Sequence, residues 1–348
     1  MSLLCTASEA LARHLEQLER DLEQQTGSDY PRLGTLHPSG EQLARLAEAV
    51  SAVDVASFAA ETNPLALLVG LGDAVDSAMP WQPPFIRDAL TAFPDIRALL
   101  IPAAEAIAAA PAANWWNDAI DLAHQYEMHG PDRPTNEERR PAQQLLADLR
   151  AAATQDEQRH GFRPGDPADE PGDAWSSIPT GWIPNMISAR LLHTSRPLPA
   201  LGAVELAAHE DSTGPDHAEL WHLEPIPTNP RIFEVHGPKD WARLVAAYPF
   251  EASRTRRGVW WESTGLDGRW YIPDWQTAAN DWDAIHVTVW GYLTTAGEAL
   301  QVAAGNTGLA GWNPDCTYWL CDVTTTASGT WARTSDADMA HRVPSTDE

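Results

Sequence analysis

The segment His217-Ala-Glu-Leu-Trp-His222-Leu-Glu224 places two imidazoles and two carboxylates close together in the chain. These are donor types that zinc takes when three or four converge on one point. Read as a strand, the segment sends His217 and Glu219 to one side and His222 and Glu224 to the other. A metal set would therefore need His209, across the hairpin, to join one of the pairs. The spacing matches none of the zinc motifs, solvated hairpin residues are the simpler reading, and no metal ligand is assigned.

A second concentration runs from Gly258 to Trp290, where Trp260, Trp261, Trp270, Trp275, Trp282 and Trp290 alternate with Glu262, Asp267, Asp274, Asp281, Asp283 and His286. Indole faces stack on flat ligands and clasp cations, and a carboxylate among them pairs with a positive group. A tryptophan-built core has the same composition. On a strand, adjacent Trp260 and Trp261 point in opposite directions, so at least one faces a cleft, a domain interface or a partner. Trp260, Trp261, Glu262, His286 and Trp290 are accordingly read as lining a site, and Trp270, Trp275 and Trp282 as packing.

Val69-Gly-Leu-Gly-Asp-Ala-Val75 begins like a dinucleotide fingerprint, but Val75 replaces the third glycine and both flanks read as helix, which favours a helix-packing role. Neither a Walker loop nor a Gly-x-Ser-x-Gly elbow occurs. The strand end Leu191-Leu-His-Thr-Ser195 resembles the first catalytic motif of the ADP-ribosyltransferase fold, in its diphtheria-toxin-like and PARP-like branch. Asp283-Ala-Ile-His-Val287 is similar to a late strand of such toxins. The resemblance implies NAD as cofactor, with His193 on the nicotinamide ribose and Ser195 supporting it. Thr194 stands where that family has glycine, no Glu-x-Glu occurs in the last strands, and the stacking tyrosine stays open among Tyr248, Tyr271 and Tyr292. On this reading His193, Ser195 and Glu262 are the catalytic set, Glu262 stabilising the oxocarbenium ion formed as nicotinamide leaves. Arg190, Thr194, Trp260, Trp261, His286 and Trp290 would hold the cofactor.

A formal charge of -26 and a pI near 4.6 repel phosphate backbones and anionic lipids, which excludes a broad nucleic-acid surface. A local cluster such as Arg254, Arg256, Arg257 and Arg269 can still hold one small anion. The three cysteines, Cys5, Cys316 and Cys321, suggest a reduced, cytoplasmic setting, and no stretch reads as a signal peptide or membrane segment.

The elements that must position these groups fall into two parts. Leu11, Leu15, Leu18 and Leu22 recur on one helical face, Ser39 caps a second helix, and Asn63-Pro64 starts a third. Further helices are expected near Phe85–Phe93, at Asp95–Ala109, at Asn117–Met128, and from a Thr135/Glu138 capping box to about His160. Residues 161–184 are rich in proline, glycine and aspartate, and tryptophan is frequent after them. Strands are then expected at 186–194, 204–208, 220–226, 231–236, 269–272, 284–290 and 316–323, with helices after Gly237-Pro238 and after Asp274. The fold class is α+β: an N-terminal all-helical domain (1–160), a linker (161–184), a mixed, mainly antiparallel β-sheet domain with a few helices (185–326), and a polar, disordered tail (327–348). Two functions follow. One is an enzyme binding a small aromatic or nucleotide-bearing ligand in a Trp-lined cleft, most concretely by NAD-dependent ADP-ribosyl transfer. The other is a non-catalytic protein that offers an exposed Trp-rich surface to a protein partner. Convergent polar groups in a concave pocket distinguish the first, a flat aromatic patch the second.

Overall fold

The computed structural model describes residues 8–28, 30, 36–55, 57, 64–129, 135–160, 167, 174–183, 186–198, 202–203, 217–333 and 342–343. Helix α1 (Glu9–Thr26) begins where the Ser8 side chain accepts from Leu11 N and ends at Gly27, whose φ of 72° closes the last turn in the left-handed region. Its Leu11, Leu15, Leu18 and Leu22 are buried, as their spacing predicts. Helix α2 (Gly40–Ser51) carries a full capping box between Ser39 and Gln42. Both pack with Ile86, Leu90, Ile96 and Ala103 into a small helical core, the last two residues lying on a helix from Pro94 to Ala109.

Helix α3 (Pro64–Asp76) belongs elsewhere. It contains the Gly70-Leu-Gly72 stretch, and its Leu67, Leu71 and Val75 enter the main core. Helix α4 is that Pro94–Ala109 segment. Helix α5 (Ala142–Arg159) also faces the main core, through Leu145, Leu146 and Leu149.

The sheet contains β1 (Tyr126–His129), β2 (His193–Ser195), β3 (His217–Leu223), β4 (Ile232–Val235), β5 (Ala284–Val287), β6 (Cys316–Trp319), β7 (Thr325–Arg333) and β8 (Arg342–Val343), in the order β8-β7-β3-β1-β2-β6-β5-β4. Among the described strands of this sheet only β4 and β5 pair in parallel. Between those two the chain makes α6 (Pro238–Ala247), a hairpin of Pro249–Glu251 with Tyr271–Pro273, α7 (Ser253–Thr264), and a short helix Trp275–Ala278. Helix α8 (Val289–Thr295) follows β5. One sheet face, with Phe233, Val235, Ile285, Val287, Cys316 and Tyr318, is covered by α6 and α8 and shares its core with α3 and α5. The mixed, mainly antiparallel α+β architecture is the one expected from the sequence.

Several elements differ from their expected form, each for a local reason. Asn117–Met128 is not a helix. Asp121 accepts from Ala123 N (3.2 Å) and pairs with His124 Nδ1 (2.8 Å), a side-chain turn that competes with helix, and the chain then enters the sheet as β1. The Thr135/Glu138 contact forms but closes one turn, because Pro141 bars the residue before it from helical geometry and α5 starts after it. Gly258–Trp261 lies inside α7 and is not a strand. The strand from Ala284 stops at Val287, where Thr288 caps α8 by accepting from Gly291 N at 2.9 Å. Residues through Arg333, expected in a polar tail, form β7 against β3. The strand expected at 204–208 lies outside the described residues. No single described helix is long and apolar enough to cross a membrane.

Gly291 fixes how close α8 comes to β4: a Cβ there would lie 2.0 Å from the Val235 carbonyl oxygen. Gly291→Ala is expected to cost about 3 kcal/mol or more, read as a large drop in the thermal unfolding midpoint. An unchanged midpoint would refute the close approach.

Candidate functional site

Of the four clustered arginines, three are committed to acceptors in the insertion between β4 and β5 or on α5. Arg257 Nε and Nη2 donate to Asp267 at 2.6 and 2.9 Å, which holds the Asp267 carboxyl below its usual range. Arg269 Nε donates to Glu251 at 2.9 Å, and Arg254 Nη1 to the Glu157 carbonyl at 3.0 Å. Arg256 differs. It is buried, and no carboxylate accepts a hydrogen bond from it: Nε and Nη2 donate to the Ser176 carbonyl at 3.0 and 2.8 Å, and Nη1 to Thr255 Oγ1 at 2.9 Å. A guanidinium has five N–H groups, so one on each Nη is left without an acceptor among the described residues. Burial pulls its pKa down to about 10 against the nearby charges of Glu157 and Asp156, so it is a cation at neutral pH. Its guanidinium also lies 5.8 Å from the Trp260 ring centroid.

Two helices position this cation. The N-cap residue of α7, Ala252, has no capping side chain. Glu157, near the end of α5, takes that role by accepting from Arg254 N and Thr255 N, both at 2.9 Å, and from Thr255 Oγ1 at 2.6 Å. An acid at a helix N-terminus satisfies orphan N–H groups and complements the dipole. Arg256 follows directly and is among the residues that line a cavity of about 50 Å³ between α5 and the Pro249–Glu251/Tyr271–Pro273 hairpin.

The cavity walls are mainly apolar: Leu146, Leu149, Ile178, Phe250, Ile272 and Trp275. Asp274 also lines it, neutralised by the half-exposed Arg150 at 2.8 Å and occupied in capping Thr277 N at 3.1 Å. Buried indole N–H groups without an acceptor occur at Trp270, Trp275 and Trp312, and of these Trp275 lines the cavity. A largely apolar pocket with a buried cation among its lining residues is an anion-accepting environment.

The residues expected to form an NAD site are not brought to one point. His193 and Ser195 are fully buried in β2, with His193 stacked on Tyr318 at 4.9 Å on the main-core side. Thr194 faces the other side, donating to Gln125 Oε1 at 2.6 Å and accepting from Trp319 Nε1 at 3.0 Å. His286 shares that second face, since it registers with Thr317, which registers with Thr194. Arg190 is exposed on a separate two-stranded ribbon. Trp260 is buried edge-on to Trp270 at 5.0 Å and donates to the Trp175 carbonyl at 2.7 Å. Trp261 and Glu262 are half-buried on the same helix, and Trp290 meets Trp116 edge-on at 5.5 Å. The opposed directions expected of Trp260 and Trp261 fail because successive residues on a helix are about 100° apart. Among the described residues no three His, Cys, Asp or Glu side chains form a metal set, and His209 lies outside them. The sequence assigns Trp275 to packing and Asp274 to the acids of the Gly258–Trp290 run and to a helix cap, and singles out neither Arg150 nor Phe250. The arginine cluster was the one signal pointing to this cleft.

His286 belongs to a different construction. Its Nδ1 contacts Glu234 Oε2 at 2.5 Å, and its Nε2 lies 3.4 Å from Asp315 Oδ1, an ion pair without aligned hydrogen-bond geometry. Arg196 Nε donates to the same Asp315 oxygen at 2.7 Å, and Ile120 N donates to Glu234 Oε1 at 3.1 Å. This clasp holds the Asn117–Gln125 segment over the second sheet face. Burial alone would lower the His286 pKa, but Asp315 and Glu234 outweigh it and raise the value from 6.5 to about 9. The folded pKa lies above the unfolded one, so the clasp contributes fully below about pH 6.5 and fades as pH rises through about 9. Wild type is expected to lose on the order of 3 kcal/mol over that window relative to His286→Gln, measured by denaturant unfolding at several pH values. Parallel pH profiles for the two proteins would rule this out. No protein-family model, curated protein or solved structure matches the chain, so the chemistry of the Arg256 cleft is the guide to its function.

Proposed function

We propose that the protein binds a small ligand in the cleft lined by Arg256 and Trp275, in a reducing, cytoplasmic setting in which Cys316 and Cys321 stay as free thiols. The observation that carries this reading is that Arg256, a buried cation hydrogen-bonded to no carboxylate, is among the residues that line a largely apolar cavity. Keeping such a charge buried opposes folding, and groups retained against stability concentrate at functional sites. The reading is one of binding and not of catalysis. Asp274, the acid in the cleft, is engaged by Arg150 and by the Thr277 amide, and His193 and Ser195 lie in the sheet. NAD-dependent transfer is therefore the weaker alternative, because it needs those two side chains at a ligand.

A thermal-shift screen of small anions, nucleotides including NAD, and aromatic molecules tests this, with intrinsic tryptophan fluorescence on each hit. A bound ligand at a hundredfold over its Kd is expected to stabilise the protein by about 2.7 kcal/mol. Ala153 lines the cleft, so Ala153→Phe is expected to abolish the shift by filling it. Hits that stabilise Ala153→Phe as strongly as wild type would place the ligand elsewhere and end the proposal.

A further inference from the structure

We propose that the exposed face of α4 is a dimer interface, which docks antiparallel on the same face of a second copy of this chain across a twofold axis at Ile101.

Helix α4 turns one side inward. Ile96 and Ala103 are buried in the small helical core with Leu99 and Leu100 packed against it, and Ile107 packs against the main core. The other side faces solvent, where a surface helix ordinarily carries polar and charged residues. Here Pro94, Ala98, Ile101, Ala104 and Ala108 are exposed instead. At about 100° per residue all of them lie within about 60° of the Ile101 direction, so they form one stripe along the helix. An isolated surface isoleucine needs no partner. Ile101, at 50 %, is the most exposed large apolar side chain among the described residues, and it sits at the centre of an apolar stripe.

Charge selects the occupant. Arg97 and Glu105 are the charged residues of this stripe, both exposed and each four positions from Ile101. They stand about 12 Å apart along the helix axis, too far to pair with each other. Arg97 reaches Glu298 at 3.3 Å, but both partners are at least half exposed, so that pair holds it weakly. A twofold axis at Ile101 brings each residue level with the one equally far along on the other side. Ile101 then meets its own copy, Ala98 meets Ala104, Pro94 meets Ala108, and Arg97 meets Glu105 at both ends. The stripe is complementary to itself, and its alanines let the two backbones approach closely. A chain of net charge -26 repels its copy over most of its surface, so contact is favoured at a stripe without net charge. A membrane is the poorer occupant, because one isoleucine offers little apolar surface to lipid and both charges would have to be desolvated. One pair of helices of about four turns makes a small interface, which places the dissociation constant in the micromolar range.

Sedimentation equilibrium of the full chain, from low micromolar to submillimolar concentration, tests the interface. The mass is expected to rise from 38.0 kDa toward twice that value. Ile101→Glu sets two carboxylates against each other on the axis and is expected to weaken the dimer about tenfold or more. Arg97→Glu and Glu105→Arg each bring like charges level and are each expected to weaken it severalfold. The double variant is expected to recover wild-type affinity, because the reversed pair forms again between copies. Mere loss of the Arg97 contact with Glu298 would not be rescued by a change at Glu105. All three positions are exposed, and should Ile101→Glu fail to fold, the charge reversal still decides the matter. A mass that stays at one chain throughout, a dimer untouched by Ile101→Glu, or a double variant as weak as its singles overturns the proposal. Flotation of a monomeric chain with phosphatidylcholine vesicles, lost in Ile101→Glu, would also overturn it and assign the stripe to a membrane.

Discussion

The Glu157 carboxylate seated on the first turn of α7 is the contact on which the cleft depends. Helix α7 has no cap of its own, and its first N–H groups would otherwise be orphaned against α5. A charged cap of this kind contributes about 1–2 kcal/mol. Its structural consequence is larger than its energy. The same bonds that complete α7 dock it on α5, and so set the distance between Arg256 and the Leu146 and Leu149 wall. Thr255 Oγ1 relays the arrangement, donating to Glu157 while accepting from Arg256. Glu157 thus compensates the buried cation in part without touching it.

Two buried cations are treated differently in this fold. His286 sits between Glu234 and Asp315, and Asp315 is shared with Arg196, so two positive groups meet two carboxylates inside the second face of the sheet. That set is balanced and reads as a clasp. Arg256 has only carbonyl and hydroxyl acceptors, with acids at one remove. Imbalance of charge, and not burial alone, separates the group that stabilises from the group left to interact with something else.

Much of the fold was legible because local and global preferences agree. The leucine spacing of α1, the Ser39 cap and the Asp274 cap reappear as read, and so does the α+β class. Legibility failed where a distant residue decides the local structure. Nothing near Ser253 in sequence announces that Glu157 will cap α7, and a run containing Val259, Trp260 and Trp261 has strand-like propensity. Once helical, it buries Trp260 against Trp270 and leaves Trp261 half-buried. The cleft was half legible. The arginine cluster stood out in composition, but only the tertiary partners Asp267, Glu251 and Glu157 reveal which of its members is left over. His193 was conspicuous for its neighbours in sequence, and its neighbour in space is Tyr318.

Strand β1 lies between β2 and β3 in the middle of the sheet, with Tyr126 registered against both Ser195 and His222. It comes from the part of the chain whose other described elements are helical, and it joins β2-β6-β5-β4 on one side to β3-β7-β8 on the other. Both of its edges need partners that are translated after it. During synthesis, therefore, the segment that unites the sheet emerges first, can meet β2 once residues 193–195 are made, and keeps its other edge open until β3, from His217 on, has left the ribosome, so the sheet closes late and around a strand made early.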